Sequence, residues 1–510
     1  MGDKLGDESL ETETLTASRP EAKPTSKTRQ FIAAIVINLY AFSQGTVIGW
    51  LAPTEPLLMS DESPIGGKPL THENVSWLGS LVCFGAILVI PIASFISNKY
   101  SRKMTGYLMA LPLIPAWTMV ILAQSPSMLY AARFIAGLGC GGGTVSIPQF
   151  VHEIAEDSIR GEVGTYIALF FNSGVLFTFI VGSYVSYKVL GYVLLAVTLI
   201  YLATFTLIPE SPHYFISIGN TAKARQSLEW LRGKNNPDVE REIERMTRRA
   251  RELDGRRSIR DIIRELTSKG TIKGLIIGVG VCANLQLSGV LAVLSYTVNI
   301  FKDAGVNMSP YAATIIIASI QIIATYGSSV LVDRLGRRIL LISSNSLIVV
   351  CLGILGGYFY LKQSLDVSGF NWVPLAALSL FVIVVAFGAG SLCFLIISEI
   401  FSENVRIVAQ TICLVSFWTL MFLVIKLFPT FVNMFGLHGC FWFYASCCGS
   451  AILFVYFFIP ETKNRSLESI LKELNGDKDT EEDNERKALK EEDKDIGQPG
   501  PSATKRPRRF

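Results

Sequence analysis

Several ionisable groups recur in matched pairs along this 510-residue sequence. Glu153 and Arg160 stand seven apart, and so do Glu399 and Arg406. Asn98-Lys99-x-x-Arg102-Lys103 is echoed by Asp333-Arg334-x-x-Arg337-Arg338, and Pro209-Glu210-Ser211 by Pro460-Glu461-Thr462. Carboxylates and guanidinium groups at fixed spacing can form charge-assisted hydrogen bonds that close and reopen. Covalent chemistry is not indicated. No nucleophile, base and orienting acid cluster, and the histidines (His72, His152, His213, His438) show no metal-ligand spacing. We therefore expect neither an enzyme nor a cofactor or metal. A second, neutral set lies in apolar stretches: Gln286, Tyr296, Gln321, Phe394 and Trp418. Amides donate and accept hydrogen bonds, and aromatic faces stack on rings, a combination suited to a small hydroxyl-bearing molecule. Alternatively, a lone Gln in such a stretch bonds between helices, and Trp418 packs at a membrane interface.

What must hold these groups is a lipid-embedded scaffold. Half the residues are hydrophobic and only 17% are charged, which excludes a disordered chain, a coiled coil or a nucleic-acid-binding domain. Apolar segments long enough to cross a bilayer fall at 31–51, 77–97, 105–123, 129–151, 163–184, 188–208, 272–295, 311–332, 338–360, 373–398, 407–430 and 437–459. This is an all-α polytopic membrane protein with twelve transmembrane helices. The nine cysteines are odd in number, form no C-x-x-C pair, and read as small hydrophobes between helices.

The domain plan follows: an N-terminal tail (1–29), six helices (30–208), a charged central loop with short helices (209–271), six more helices (272–460) and a charged C-terminal tail (461–510). Ser258-x-x-Asp261 is a cap signal for one loop helix. The terminal KRPRRF reads as solvated tail, not a nucleic-acid patch. Lys99, Arg102 and Lys103, then Arg334, Arg337 and Arg338, put their loops and both tails in the cytoplasm. The sequons at Asn74 and Asn307 then face outward as glycosylation sites, while Asn464 faces inward and stays bare. The three echoed charged motifs recur in order at nearly constant offset, so the chain reads as two duplicated six-helix bundles. Parallel repeats of this kind place a ligand site between them near the midplane.

In these motifs the sequence resembles the sugar-porter family of the major facilitator superfamily, over about residues 30–470. The matching residues are Arg133-x-x-x-Gly137-x-Gly139-x-Gly141, Pro148, Glu153, Arg160-Gly161, PESPHYF (209–215), QLSG (286–289), DRLGRR (333–338), SEIF (398–401), Arg406 and PETKNRSLESI (460–470). GTVIGW (45–50) and YTVNIFKDAG (296–305) look most like the facilitated trehalose transporters and related sugar transporters of insects. The resemblance implies a sugar substrate, a plasma-membrane setting and alternating access. It also implies a cytoplasmic gate in which Glu153, Arg160, Asp333, Arg337, Glu399 and Arg406 pair when the site faces outward. It places Gln286 on the second Gln of the family's QQLSG, Gln321 on an Asn of span eight, and Trp418 on an aromatic of span eleven.

Departures mark the site. Leu285, Leu291 and Ala168 stand where the family has amides, and Gly390-Ser391-Leu392-Cys393-Phe394 has lost the prolines and Trp of GPxPW. Asn172, Asn284 and Gln44 are the amides available to compensate. Ser101 replaces a Gly, Asn98 an Asp and His213 an Arg, which implies a weaker N-terminal gate. The first span, Phe31 to Pro53, contains no acid, and Lys426 sits near an outer helix end where it can snorkel. A passive facilitator without proton coupling is expected. The alternative is a non-transporting sugar sensor, or a facilitator for a less polar solute.

Overall fold

The computed structural model describes residues 27–475 except 67, 157, 235, 237, 255–258, 403, 464 and 466. Only the backbone is described at 98, 252–254, 259–262, 329–335, 368, 467 and 468. The first six spans are Lys27–Leu58, His72–Ser97, Arg102–Leu122, Pro126–Ile154, Arg160–Tyr184 and Tyr187–Phe205. The next four are Lys269–Ser295, Pro310–Ser328, Arg337–Leu361 and Val373–Glu399. A continuous stretch, Arg406–Phe458, then turns at Gly436, whose φ of 70° and ψ of 170° break it into an eleventh and a twelfth span. With twelve crossings the described chain starts and ends on one face, called here the terminal face. Short helices Pro212–Ser217, Thr221–Arg232, Asp238–Asp254 and Ile259–Leu266 lie between the halves in sequence. The cap signal at Ser258 lies outside the described residues.

Glycine sets how closely the helices approach. A Cβ on Gly45 would lie 2.0 Å from the Phe171 carbonyl oxygen, and one on Gly174 would lie 2.1 Å from that of Phe42. Spans one and five thus lock reciprocally, backbone on backbone. Spans two and four do the same through Gly85 and Gly137, at 2.2 Å from Phe134 O and 2.1 Å from Val82 O. The glycine-rich run of span four is a packing surface of the small-residue kind.

Two spans of the second half are interrupted. Span seven breaks at Gly289, with φ 78°, and continues as Thr297–Ala304. Span ten carries a π segment at Ala386–Gly390, and a Cβ on Gly388 would collide with Ser344 of span nine. Such bulges re-aim the following turn.

The halves touch along two seams and where the end of span one meets span seven. Spans two and eleven join through Thr411 Oγ1 to Ser94 Oγ at 2.9 Å and Lys426 Nζ to Ser76 Oγ at 2.9 Å. Spans five and eight join at mid-depth through side-chain amides. At the face opposite the termini, Ala52, Val175, Phe179, Val298 and Ala318 form a buried apolar cluster drawn from both halves. That end is sealed.

Span one differs from the expectation in length. It runs on to Leu58 and carries Glu55, which is 1% exposed. Composition alone ended it at Pro53, because Pro53, Glu55 and Pro56 look like loop. The span turns at Trp50 and resumes as Leu51–Leu58, where Pro53 falls in the first turn and its missing N–H costs little.

Candidate functional site

The echoed motifs build two matching ionic clusters on the terminal face. In the first half, Arg102 of span three pairs with Glu153 at the end of span four, Nη2 to Oε1 at 2.9 Å. The other carboxylate oxygen accepts the Ser211 hydroxyl. In the second half, Arg337 pairs with Glu399 at 3.1 Å, whose second oxygen accepts from Thr462 Oγ1 at 2.6 Å. The PES and PET motifs therefore do the same work. Their Ser or Thr holds the span-end glutamate, while their Glu caps the helix that begins at the paired arginine, span three or span nine. Glu210 accepts the Lys103 N–H at 3.1 Å. Glu461 accepts the N–H groups of Arg337 and Arg338 at 3.0 and 3.2 Å.

Among the six gate charges expected from sequence, Glu153, Glu399 and Arg337 lie in these clusters. Arg160 Nη2 donates to Ala155 O at 3.4 Å, and Arg406 Nε has no hydrogen-bond partner among the described residues. The side chain of Asp333 lies outside the described residues. Arg102, Ser211, Thr462, Glu210 and Glu461 belong to the machinery too. The repeat signal contained them, but their roles needed geometry.

Ser101 does more than replace a glycine. Gly336 has φ 84°, and a Cβ there would sit 2.9 Å from Glu461 Oε2. Ser101 instead has φ −61°, and its hydroxyl accepts the Met104 N–H and donates to Glu210. A side-chain bond thus stands where the second half relies on bare backbone.

The neutral residues separate into three places. Gln286, 1% exposed, donates to the Phe417 carbonyl at 3.3 Å. Phe394 lies 5.4 Å from the Phe417 ring and Trp418 meets it edge-on at 6.0 Å. Phe417, which no sequence signal singled out, is the residue on which these three converge. Phe394 is 45% exposed and Trp418 only 5%; Trp418 Nε1 has no partner among the described residues. Tyr296 stacks on Phe428 with centroids 4.9 Å apart, near the sealed end. Gln321 lies on the five–eight seam. There its Nε2 donates to Asn172 Oδ1 at 3.2 Å, and Asn172 Nδ2 donates to Thr325 Oγ1 at 3.0 Å.

The other compensating amides lie off this seam. Gln44 donates to Cys140 O between spans one and four. Asn284 is 5% exposed, and neither of its amide atoms has a hydrogen-bond partner among the described residues. Leu285 is buried in the core, and Ala168 is exposed.

Two six-helix bundles with amides on a mid-depth seam and ionic clusters at one face define a membrane carrier of the major facilitator fold. The family model for sugar (and other) transporters matches residues 31–474, and the chain belongs to that family, whose members are transporters rather than enzymes. It is 34% identical over 463 residues to the facilitated trehalose transporter Tret1 of Polypedilum vanderplanki, covering 90% of each chain. It is 32% identical to Tret1 of Aedes aegypti, covering 91% of this chain and 57% of that one. The chain thus spans a little over half the length of the Aedes relative. Among solved structures, the partially occluded inward-open xylose transporter XylE of E. coli superposes with a TM-score of 0.70 at 20% identity, over 86% of this chain and all of that one. The proton:xylose symporter XylE bound to 6-bromo-6-deoxy-D-glucose gives 0.69 at 20% identity, over 87% of this chain and 98% of that one. At this identity the likeness is one of fold.

Proposed function

We propose that this chain is a facilitative sugar carrier that moves trehalose or a hexose down its gradient by rocking residues 30–208 against residues 272–460. The observation that carries this reading is the 34% identity with a facilitated trehalose transporter over 90% of both chains. The binding residues are Gln286, Gln321, Tyr296, Phe394 and Trp418, supported by the convergence on Phe417 and by the amide seam. Glu153, Arg160, Asp333, Arg337, Glu399 and Arg406 form the gate on the terminal face. That face is cytoplasmic, with both termini inside, because Lys99, Arg102, Lys103, Arg334, Arg337 and Arg338 cluster there. The membrane is the plasma membrane, and Asn74 and Asn307 face outward as glycosylation sites. Transport is uncoupled from protons; Glu55, the acid of span one, lies in its last turn beside Asn299 and away from mid-depth.

A facilitator for a less polar solute is favoured by one detail: the Gln286 amide is already engaged by Phe417 O. Tracer uptake into proteoliposomes decides. Labelled trehalose or glucose should equilibrate saturably and stop at equal concentration. Uphill accumulation in a proton gradient would overturn the uncoupled reading, and no flux of either sugar would favour the less polar solute.

A further inference from the structure

We infer that Asn172 is a substrate-binding residue that reads a sugar hydroxyl jointly with Gln321, taking up the recognition lost at Ala168, Leu285 and Leu291. The inference rests on the sugar-carrier reading above and names a residue of that site.

The first ground is position. Asn172 is the middle residue of the 25-residue helix Arg160–Tyr184, ~18 Å from either end at ~1.5 Å rise per residue. Gln321 and Thr325 lie midway along the 26-residue helix Pro310–Leu335. The contact therefore joins the two repeats at the midplane, where a shared ligand meets both.

The second ground is the change of character along this seam. Toward the sealed end it is dry, built from Val175, Phe179 and Ala318 with Leu176 and Ile315 against them. One turn inward from Leu176 it becomes polar, and Asn172, Gln321 and Thr325 are half-buried. Asn172 thus sits where the closed apolar wall gives way to half-buried polar groups.

The third ground is unspent hydrogen-bonding capacity. Thr325 has no donor left, since its hydroxyl donates to Gln321 O at 2.7 Å while accepting from Asn172. The amides have donors left. Each side-chain amide can donate twice and accept twice. Asn172 donates once and accepts once, and Gln321 donates once through its side chain. One N–H on each amide and the Gln321 Oε1 remain for a ligand. A sugar hydroxyl, donor and acceptor together, can bridge that pair and replace the direct Asn172–Gln321 bond as the halves rock. Nothing charged is needed, which agrees with a neutral substrate.

The test is a comparison of inhibition by monodeoxy analogues. Purified protein in liposomes carries labelled trehalose or glucose, whichever the wild type transports, in competition with each monodeoxy analogue of that sugar. For wild type, one analogue should bind roughly three- to tenfold more weakly than the parent sugar, the effect of one neutral hydrogen bond. In Asn172→Ala the parent should weaken by a similar factor, and parent and that analogue should become equal. Asn172→Ser, with a melting curve matching wild type, carries the same comparison if the alanine variant does not fold. If either variant keeps the wild-type ratios for every analogue, Asn172 only joins two helices and the inference is overturned. If wild type carries neither sugar, the sugar-carrier reading itself fails, an outcome separate from the first.

Discussion

Glu461 accepts the backbone N–H of Arg337 at 3.0 Å, across 124 positions of sequence. The glutamate comes from the segment after the last span and sits at the N-terminus of Arg337–Leu361, where unpaired N–H groups and the helix dipole favour an anion. Burial alone would raise its carboxyl pKa. The N–H groups of Lys463, Arg337, Arg338 and Thr462 outweigh that and hold it below the ordinary carboxylate range. A group with a lowered folded pKa stabilises the protein above its unfolded pKa and loses that stabilisation as pH falls through the folded value. Glu461→Gln should therefore cost about 1–2 kcal/mol at neutral pH. The gap to wild type should close below the carboxylate range. Melting curves in detergent from pH 7 down to the acid limit of solubility check this; a gap constant with pH would refute the charge argument.

The Arg337–Glu399 pair is partly exposed, at 11% and 25% for the two side chains. Its worth falls between that of surface pairs and buried ones. Glu399→Gln should slow uptake roughly tenfold, about 1.4 kcal/mol, and the double swap Arg337→Glu with Glu399→Arg should recover part of the rate. Initial uptake rates measure this. Equal rates in wild type and Glu399→Gln would remove the pair from the transport cycle.

Arg133 is 2% exposed and has carbonyl partners rather than an acid. Its Nε donates to Leu78 O at 2.9 Å, its Nη1 to Val47 O at 2.7 Å, and its guanidinium lies 5.1 Å from the Trp50 ring. One side chain thus ties spans one, two and four. Arg133→Met should destabilise by roughly 2–3 kcal/mol, with Arg133→Lys intermediate because an ammonium lacks the planar fork. Thermal unfolding of the three proteins ranks them.

Gly137→Ala should be poorly tolerated, since its methyl would enter the Val82 carbonyl at 2.1 Å; overpacking of this kind costs about 1–3 kcal/mol. Gly161→Ala is the control, because nothing lies within 4 Å of its Cβ position. The yield of monodisperse protein should fall for the first and not for the second.

The two sequons on the face opposite the termini are not equivalent. Asn307 is exposed in the loop before Pro310–Leu335. Asn74 is half-buried in the first turn of span two, and its Ser76 is 3% exposed beneath Lys426. Asn307→Gln should abolish most of the mobility shift on deglycosylation of protein made in insect cells, and Asn74→Gln should change it little. A shift that survives Asn307→Gln would reverse the assignment.

The sequence by itself determined the spans, the duplication and the family. Long apolar runs have few alternatives in a bilayer, and ordered charged motifs at helix ends are dense with information. The residues of the ionic clusters were legible for the same reason. Their partners were not, because Arg102 to Glu153 or Thr462 to Glu399 is a contact between helix ends that no local spacing encodes. The amides show the limit more sharply. Gln286, Gln321, Asn172, Asn284 and Gln44 are alike as letters in apolar surroundings. Only the tertiary structure sends Gln44 to span four, buries Asn284 without a partner among the described residues, and brings Asn172 across the seam to Gln321. That choice depends on helix rotation, which in the first half is set by the glycine contacts of Gly45, Gly174, Gly85 and Gly137. Because all faces of a buried membrane helix are apolar, hydrophobic periodicity carries little of that angle.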